Sequence, residues 1–277
     1  MIARRVLAVT CLGLLLASCT TLESMAAPSA RLVSTHWLQT DPDSSVRLDH
    51  SDWSRFLANY LVSGNDGINR VAYGRVDAAG RSLLDAYIAM LEASPVSHLS
   101  RPEQLAYWIN LYNAVTTRVV LQHYPVRSIR NIDGGLFGTG PWDVKLVTVE
   151  GERLSLDDIE HGILRPIWHD PRIHYALNCA SISCPKLQPM AFTAGHAERL
   201  LDEAARDYVN DPRGVRIVGG RLIVSSIYAW YRKDFGPGET AVLDHLRHYA
   251  KPQLAAELTP FRKPDDDSYD WSLIDAR

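Results

Sequence analysis

The side chains best suited to chemistry lie close together in the sequence, between Leu156 and Leu187. This stretch contains most of the candidate acids, bases, nucleophiles and metal ligands of the chain, namely Glu160, His161, His169, His174, Asn178, Cys179 and Cys184. A thiolate nucleophile needs a base that removes its proton and a group that orients that base. Cys179, His174 and Glu160 could fill these three roles, so the stretch is the predicted functional centre.

One hypothesis for this stretch is a cysteine-dependent hydrolase or transferase that acts on an amide or ester bond of the cell envelope. Cys179 would be the nucleophile, His174 the base and Glu160 the residue that orients it. The side-chain amide of Asn110 or Asn113 would stabilise an oxyanion. The spacing of these residues matches no thiol-protease signature.

The other hypothesis, which the sequence favours slightly, is a non-catalytic binding or scaffold protein with a disulfide between Cys179 and Cys184. An exported chain would lose Cys11 with its signal and have Cys19 lipidated, which leaves this even pair in an oxidising compartment. A zinc site with His161 and His174 is a third interpretation, but the spacings match no zinc-finger pattern. We therefore predict neither a metal nor a cofactor.

The N-terminus predicts export followed by lipid attachment. A short basic region, Arg4 and Arg5, precedes an apolar run at 6–16 that is too short to span a membrane. Residues 16–19 read Leu-Ala-Ser-Cys and resemble a bacterial lipobox, which implies cleavage before Cys19 and acylation of that residue, for example by palmitate. Thr20 follows the cysteine and favours an outer-membrane address.

These signals predict a signal peptide over 1–18, a lipidated N-terminus and polar tether over 19–47, and a single globular domain over 48–277. The domain would face the periplasm and be held to the membrane by lipid at Cys19. The formal net charge is −3 and the sequence has no basic patch, so we expect no nucleic-acid partner. The expected partner is an envelope ligand or small molecule whose identity the sequence leaves open.

The elements that must position the candidate residues indicate an α+β fold, a helix-rich domain with small β-hairpins. Apolar spacing and turn residues predict helices at 48–62, 81–92, 101–123, 156–164, 194–210 and 241–250, a short strand at 173–177, a loop at 178–185, and hairpins at 145–154 and 215–224. Aromatic and charged residues at 228–234, including Trp230 and Asp234, could line a pocket, although core packing is favoured. The acidic run 265–267 is predicted to be a solvated tail segment.

The helix at 101–123 is apolar nearly all round, which predicts a central position. Ser100 and Glu103 form a capping-box signature at its start. Asn110 and Asn113 share one face, and buried amides need partners, so they either brace neighbouring loops or bind a ligand. A second cap signature at 155–158 begins the helix of Glu160 and His161, which as neighbours about 100° apart are not expected to face one ligand together.

Four segments, 106–116, 154–165, 170–187 and 224–236, together resemble the domain of unknown function 547 family. The resemblance covers roughly 48–273 and implies a compact mixed α/β domain, here in a bacterial lipoprotein form, with no established activity. Its motif positions in this chain are Trp108, Asn110, Tyr112, Asn113, Glu160, His174, Cys179, Cys184, Trp230 and Asp234. The candidate binding residues are Asn110, Asn113, Trp108, His161, Cys184, Trp230 and Asp234.

Overall fold

The computed structural model describes residues 27–132 and 140–276. The predicted signal peptide and the predicted lipidation site Cys19 lie outside the described residues. The predicted α+β class is confirmed, because the helices are accompanied by sheets of only two or three strands. The contacts divide the chain into two compact units: the larger is drawn from Ala30–Tyr208 and the residues from Asp270 onward, and the smaller includes Val209–Tyr269.

Three helices frame the larger unit, each where the apolar spacing predicts one. They are α1 (Ser51–Tyr60), α2 (Ala78–Glu92) and α3 (Arg101–His123). Nearly every residue of α3 between Glu103 and Leu121 is buried, as expected of a helix without a polar face. None of the helices within the described ranges is both long and apolar enough to cross a lipid bilayer.

The start of α3 differs from the predicted capping box. Ser100 is the N-cap, but its side chain makes no capping hydrogen bond. Glu103 does not reach back to Ser100; one carboxylate oxygen accepts a hydrogen bond from the N–H of Leu48 at 2.8 Å. The carboxylate therefore fastens the chain ahead of α1, a long-range contact that local spacing cannot reveal.

The larger unit also contains two antiparallel hairpins. β1 (Leu61–Ser63) pairs with β2 (Asn69–Val71), and β3 (Val147–Val149) pairs with β4 (Glu152–Leu154). The second hairpin is the one predicted from the sequence. Its turn residues Glu150 and Gly151 have φ angles of 46° and 84°, the left-handed conformation that tight hairpins require.

The segment that carries Glu160 and His161 is one helical run with a wide turn in its middle. It consists of α4 (Leu156–Ile159), a π-helical turn (Glu160–Leu164) and α5 (Arg165–Trp168). The predicted cap is confirmed, since Ser155 and Asp158 form a reciprocal capping box. In the π turn the N–H of Arg165 donates to the carbonyl of Glu160, five residues earlier.

Residues 173–177, predicted as a short strand, form a helical turn instead. α6 (Ile173–Ala176) follows a bend in which the carbonyls of Asp170 and Pro171 accept from the N–H groups of Ile173 and His174. The strand prediction was wrong because a short apolar run fits a buried helical turn equally well. The predicted loop after it is confirmed, and α7 (Ala197–Val209) follows that loop.

Residues 30–47, expected to be part of the tether, belong to the larger unit. A 3₁₀ helix, Thr35–Leu38, carries Trp37, which is only 3% exposed. Its ring packs edge-on against Trp108 with the ring centroids 5.1 Å apart. The guanidinium of Arg101 donates to the carbonyls of Trp37 and Leu38. This part of the chain therefore packs against the fold, which the polar, Ser- and Pro-containing sequence does not suggest.

The smaller unit combines a three-stranded sheet with short helices. The sheet has β5 (Val215–Val218), β6 (Arg221–Ser225) and β7 (Asp266–Ser268), and the helices are α8 (Ile227–Trp230), a 3₁₀ helix (Arg232–Phe235), α9 (Ala241–Tyr249) and α10 (Pro252–Glu257). The β5–β6 hairpin is predicted correctly. Gly219 and Gly220 form its turn with φ angles of 59° and 78°.

The acidic run at 265–267 corrects another prediction. It is not a solvated tail, because Asp266–Ser268 pairs in parallel with β6. The carboxylate of Asp265 accepts a hydrogen bond from the N–H of Leu222 at 2.8 Å, and Asp267 accepts one from the hydroxyl of Ser226. Carboxylates that bind the neighbouring backbone and hydroxyl groups allow this polar segment to form an edge strand.

Candidate functional site

A cluster of ionisable side chains is buried where the π turn of the larger unit meets α6. We call Asp157, Glu160, His161, Arg165 and His174 the charged cluster. Glu160, His161, Arg165 and His174 are each less than a tenth exposed. One oxygen of Glu160, Oε1, lies 3.6 Å from Nδ1 of His174 and 3.8 Å from Nδ1 of His161. Contrary to the expectation from a regular helix, Glu160 and His161 therefore meet.

The proton on His161 is positioned by Arg165. A guanidinium Nη1 of Arg165 lies 2.8 Å from Nδ1 of His161. Because a guanidinium can only donate, Nδ1 accepts and the ring carries its proton on Nε2. Nε2 lies 3.6 Å from Oδ1 of Asp157. The spacing of Asp157, His161 and Arg165 by four residues brings the three side chains to one side of the helical run.

The pKa values of the two carboxyl groups in the cluster, those of Glu160 and Asp157, are shifted in opposite directions. Burial by itself raises the pKa of Glu160, but attraction to His161, His174 and Arg165 outweighs it and holds that pKa well below the ordinary 4.5. Charge attraction by either histidine requires a protonated ring, and a ring whose Nδ1 accepts from Arg165 is neutral. The hydrogen bond from His174 and the permanent charge of Arg165 lower the pKa of Glu160 without that requirement.

Asp157 has the opposite behaviour. Burial, followed by repulsion from Glu160 and from the acidic neighbours Asp143 and Asp158, raises its pKa to about 7. Its side chain is about a third exposed, at 35%. Near neutral pH the cluster thus contains one carboxyl that stays ionised and one that exchanges its proton with solvent.

Both amides proposed as oxyanion or ligand-binding groups are engaged with backbone. Asn113 donates to the carbonyl of Ala176 at 2.8 Å and accepts from the N–H of Asn178 at 2.8 Å. Asn110 forms the same pair of bonds with Phe192, at 2.8 and 2.9 Å. Each amide thus holds both backbone groups of a neighbouring loop. The bracing interpretation describes these contacts, and it places α6, with His174, against α3.

The loop of residues 178–185, which we call the cysteine loop, is closed by a disulfide between Cys179 and Cys184. The Cα atoms of the two cysteines are 6.0 Å apart. Asn178 adds an internal clamp, because its side chain accepts from the N–H of Ala180 at 2.9 Å and donates to the carbonyl of Pro185 at 2.7 Å. Sequence reasoning favoured this disulfide over a zinc site, and the disulfide is confirmed.

The C-terminal end of the chain holds the cysteine loop from outside. The N–H groups of Ile182 and Ser183 donate to the carbonyls of Ser272 and Asp270, and Ser181 pairs with Leu273 in an antiparallel bridge. The hydroxyl of Tyr208 on α7 donates to the carbonyl of Ser183 at 2.5 Å. The loop is thus fixed by groups distant in the sequence as well as by its own disulfide.

The structure brings together only some of the predicted site residues. Trp108 lies in the core, where its ring packs against Trp37. Trp230 and Asp234 belong to the smaller unit, where Trp230 packs against Tyr269 with centroids 4.8 Å apart. Within the described ranges, no three His, Cys, Asp or Glu side chains are arranged to hold a metal ion.

Sequence reasoning missed Asp157 and Arg165 as members of the cluster. The signal was available, because both lie four residues from His161 and helical neighbours at that spacing face each other. Asp157 was interpreted as part of a helix cap, and Arg165 lies one residue beyond the predicted end of that helix at 164. The cap is correct, but Asp158 rather than Asp157 provides its reciprocal bond.

Comparison with known proteins supports the resemblance over three of the four motif segments, 106–116, 154–165 and 170–187. Residues 96–209 match the model of a family described as "Protein of unknown function, DUF547". The matched segment includes α3, the charged cluster and the cysteine loop. No curated protein and no solved structure matches the chain. The family description carries no activity, so a functional argument must come from the site.

Proposed function

We propose that this chain is an envelope-facing lipoprotein that binds a small polar envelope ligand at the charged cluster without converting it. The observation that carries the proposal is the cluster itself. Burying several ionisable groups costs folding free energy of several kcal/mol per ion unless partners offset it. Groups with pKa values shifted apart, as in Asp157 and Glu160, are concentrated at functional sites.

The chemistry of the cluster suits a ligand with both hydroxyl or amide donors and acceptors. Glu160 stays ionised and accepts hydrogen bonds, whereas Arg165 only donates. Asp157, with a pKa of about 7, can do either near neutral pH. Sugars and peptide fragments of the envelope carry such groups.

The disulfide supports a binding role and an exported location. A sulfur bonded to another sulfur is not a thiolate nucleophile. A disulfide between Cys179 and Cys184 is also typical of oxidising compartments such as the periplasm. The lipobox-like residues 16–19 would place the lipid at Cys19.

The test is retention of a defined mixture of muropeptides and extracted phospholipids by the full chain, followed by mass spectrometry. We expect a component to be retained, recovered chemically unchanged, and retained at least tenfold less by Glu160→Gln. Glu203→Gln is the matched control, because Glu203 forms an exposed ion pair with Arg199 on α7. Equal retention by parent and Glu160→Gln, or no retention at all, would remove the binding proposal.

The second candidate is the cysteine-dependent hydrolase or transferase, which the contact of Glu160 with His174 favours as an orienting pair. It requires a free Cys179 thiol, and therefore the two-electron reduction of the disulfide to two thiols by a dithiol reductant. Cys184→Ala frees Cys179 without a reductant, and Cys179→Ala frees the other sulfur instead. If Cys184→Ala consumes a component of the mixture and Cys179→Ala does not, the enzyme replaces the binding protein.

Lipid attachment is tested separately from binding. The full chain expressed in a Gram-negative host should incorporate labelled palmitate and sediment with membranes. Cys19→Ser should abolish both, whereas Cys11→Ser is the control that should leave lipidation intact. Unchanged labelling in Cys19→Ser would contradict the lipoprotein assignment but would not affect the ligand test.

A further inference from the structure

The π turn that carries Glu160 and His161 is followed by a proline, which removes a backbone hydrogen-bond donor from the helical run. Pro166 has no N–H, and it follows Arg165 inside the helical run. In α geometry its N–H would have served the carbonyl of Gly162, and in π geometry the carbonyl of His161. The N–H of Arg165 is already committed to Glu160. Two carbonyls next to the site residues therefore lose a helical donor.

Donors for the same two carbonyls come from the N-terminal part of the chain. The N–H of Arg31 donates to the carbonyl of His161 at 3.0 Å. The N–H of Val33 donates to the carbonyl of Gly162, also at 3.0 Å. Each of the two carbonyls thus receives one donor, which is what buried polar backbone groups require.

The absence of a side chain at Gly162 allows the N-terminal chain to approach this closely. A Cβ placed on Gly162 would lie 2.9 Å from Cβ and 3.1 Å from Cγ1 of Val33. Cβ atoms in real structures essentially never come that close, so an alanine at this position would push Val33 away. The atoms nearest to such a Cβ all belong to Val33, so the contact with Val33 is the one that favours glycine at this position.

Further along, the N-terminal chain is fastened to α3. Gln104 donates to the carbonyl of Gln39 at 2.9 Å, and Arg101 donates to that of Leu38. Trp37 is buried against Trp108. Residues 31–33 are therefore held in register with the π turn by an anchored segment on their C-terminal side.

We propose that residues 31–33 are a positioning strap for the charged cluster. The strap supplies one donor to each of the two carbonyls that Pro166 and the π turn leave without a helical partner, and it thereby fixes the turn from which Glu160 and His161 project. Displacing the strap would loosen the contacts of Glu160 and His161 without touching either side chain.

One test removes a single donor. Val33→Pro deletes the N–H that binds Gly162, whereas Val33→Thr keeps both the N–H and the branched shape as a matched control. Val33 is 45% exposed, so neither change disturbs the core. In Val33→Pro we expect hydrogen exchange in residues 156–168 to accelerate at least tenfold, and carbethoxylation of His161 by diethyl pyrocarbonate to accelerate similarly. The exposed His248 of the smaller unit is the internal reference, and its rate should not change.

The second test uses the close approach of Gly162 and Val33 in a double-mutant cycle. Gly162→Ala in the parent should accelerate both readouts at least tenfold. In a Val33→Gly background, where the colliding atoms are gone, the same substitution should change them less than twofold. Circular dichroism and thermal unfolding verify that each variant folds.

The outcomes are decisive in both directions. Unchanged exchange and modification rates in Val33→Pro, or equal effects of Gly162→Ala in both backgrounds, would overturn the strap. Neither readout uses a ligand, so failure of the ligand proposal leaves the strap in place. Failure of the strap likewise leaves retention by Glu160 untouched.

Discussion

Two sets of buried polar side chains in the larger unit show different uses of burial. The amides of Asn110 and Asn113 each make a reciprocal pair of hydrogen bonds to backbone at 2.8–2.9 Å. In the charged cluster, Glu160 is 3.6–3.8 Å from two histidines. The amides are neutral and do not titrate, so they hold loops in place at every pH. The cluster is ionic and its contacts depend on protonation.

The difference indicates which polar residues are scaffold and which are available to a ligand. Each of these amides commits its oxygen and one of its two N–H donors to the backbone, so the two asparagines suit bracing. The cluster depends on that bracing, because Asn113 holds the end of α6, the element that presents His174 to Glu160. Three substitutions would break or sharpen this comparison.

The largest effect is expected from Asn113→Ala. The change leaves the buried carbonyl of Ala176 and the buried N–H of Asn178 unpaired, at about 1–3 kcal/mol each. We therefore expect the free energy of unfolding to fall by about 4 kcal/mol, measured by urea denaturation. Asn210→Ala is the matched control, because Asn210 makes an equivalent pair of bonds to Tyr249 and Lys251 at a partly exposed position. A similar loss of unfolding free energy in both variants would show that burial of the unpaired groups does not determine the cost.

Glu160→Gln should have the next largest effect, because it removes the anion that faces His174 and Arg165. Glutamine keeps the shape and one acceptor oxygen, so we expect a loss at the low end of what a broken buried ion pair costs, about 3 kcal/mol. The folded pKa of Glu160 is lowered, so its contribution is present above the unfolded value of 4.5 and is lost as the pH falls below it. The difference from the parent should therefore be full at pH 7 and shrink at low pH. A difference that is constant with pH would mean that shape, not charge, is responsible.

The smallest effect is expected from Asp157→Asn, and it has the opposite sign. The pKa of Asp157 is raised to about 7 in the folded chain, so its stabilising contribution is present below 3.8 and is lost as the pH rises through 7. The variant should gain stability relative to the parent between about pH 4 and pH 7 and keep that gain above it. Partial exposure screens the interaction, so the gain should be smaller than the loss from Glu160→Gln. A parent and variant with parallel pH profiles would contradict the raised pKa.

The sequence was sufficient to predict the elements that are stabilised by contacts between neighbouring residues. The apolar stripes of α1 and α2, the capping box of Ser155 with Asp158, and the two-glycine turn of the β5–β6 hairpin depend on neighbours within a few residues. The parity of Cys179 and Cys184 likewise indicated the disulfide. For each of these, the residue types restrict the backbone or pair with one another directly.

The other features depend on tertiary structure, because hydrogen bonds to residues distant in the sequence determine which of several local conformations forms. Residues 173–177 form a helical turn, and their far end is held by Asn113. The acidic residues 266–268 form a strand where β6 offers an edge. Asn110 and Asn113 could have served a ligand until their backbone partners were known. The helix of Glu160 and His161, predicted to end at 164, continues through Pro166 to Trp168, where residues 31 and 33 supply donors to its carbonyls.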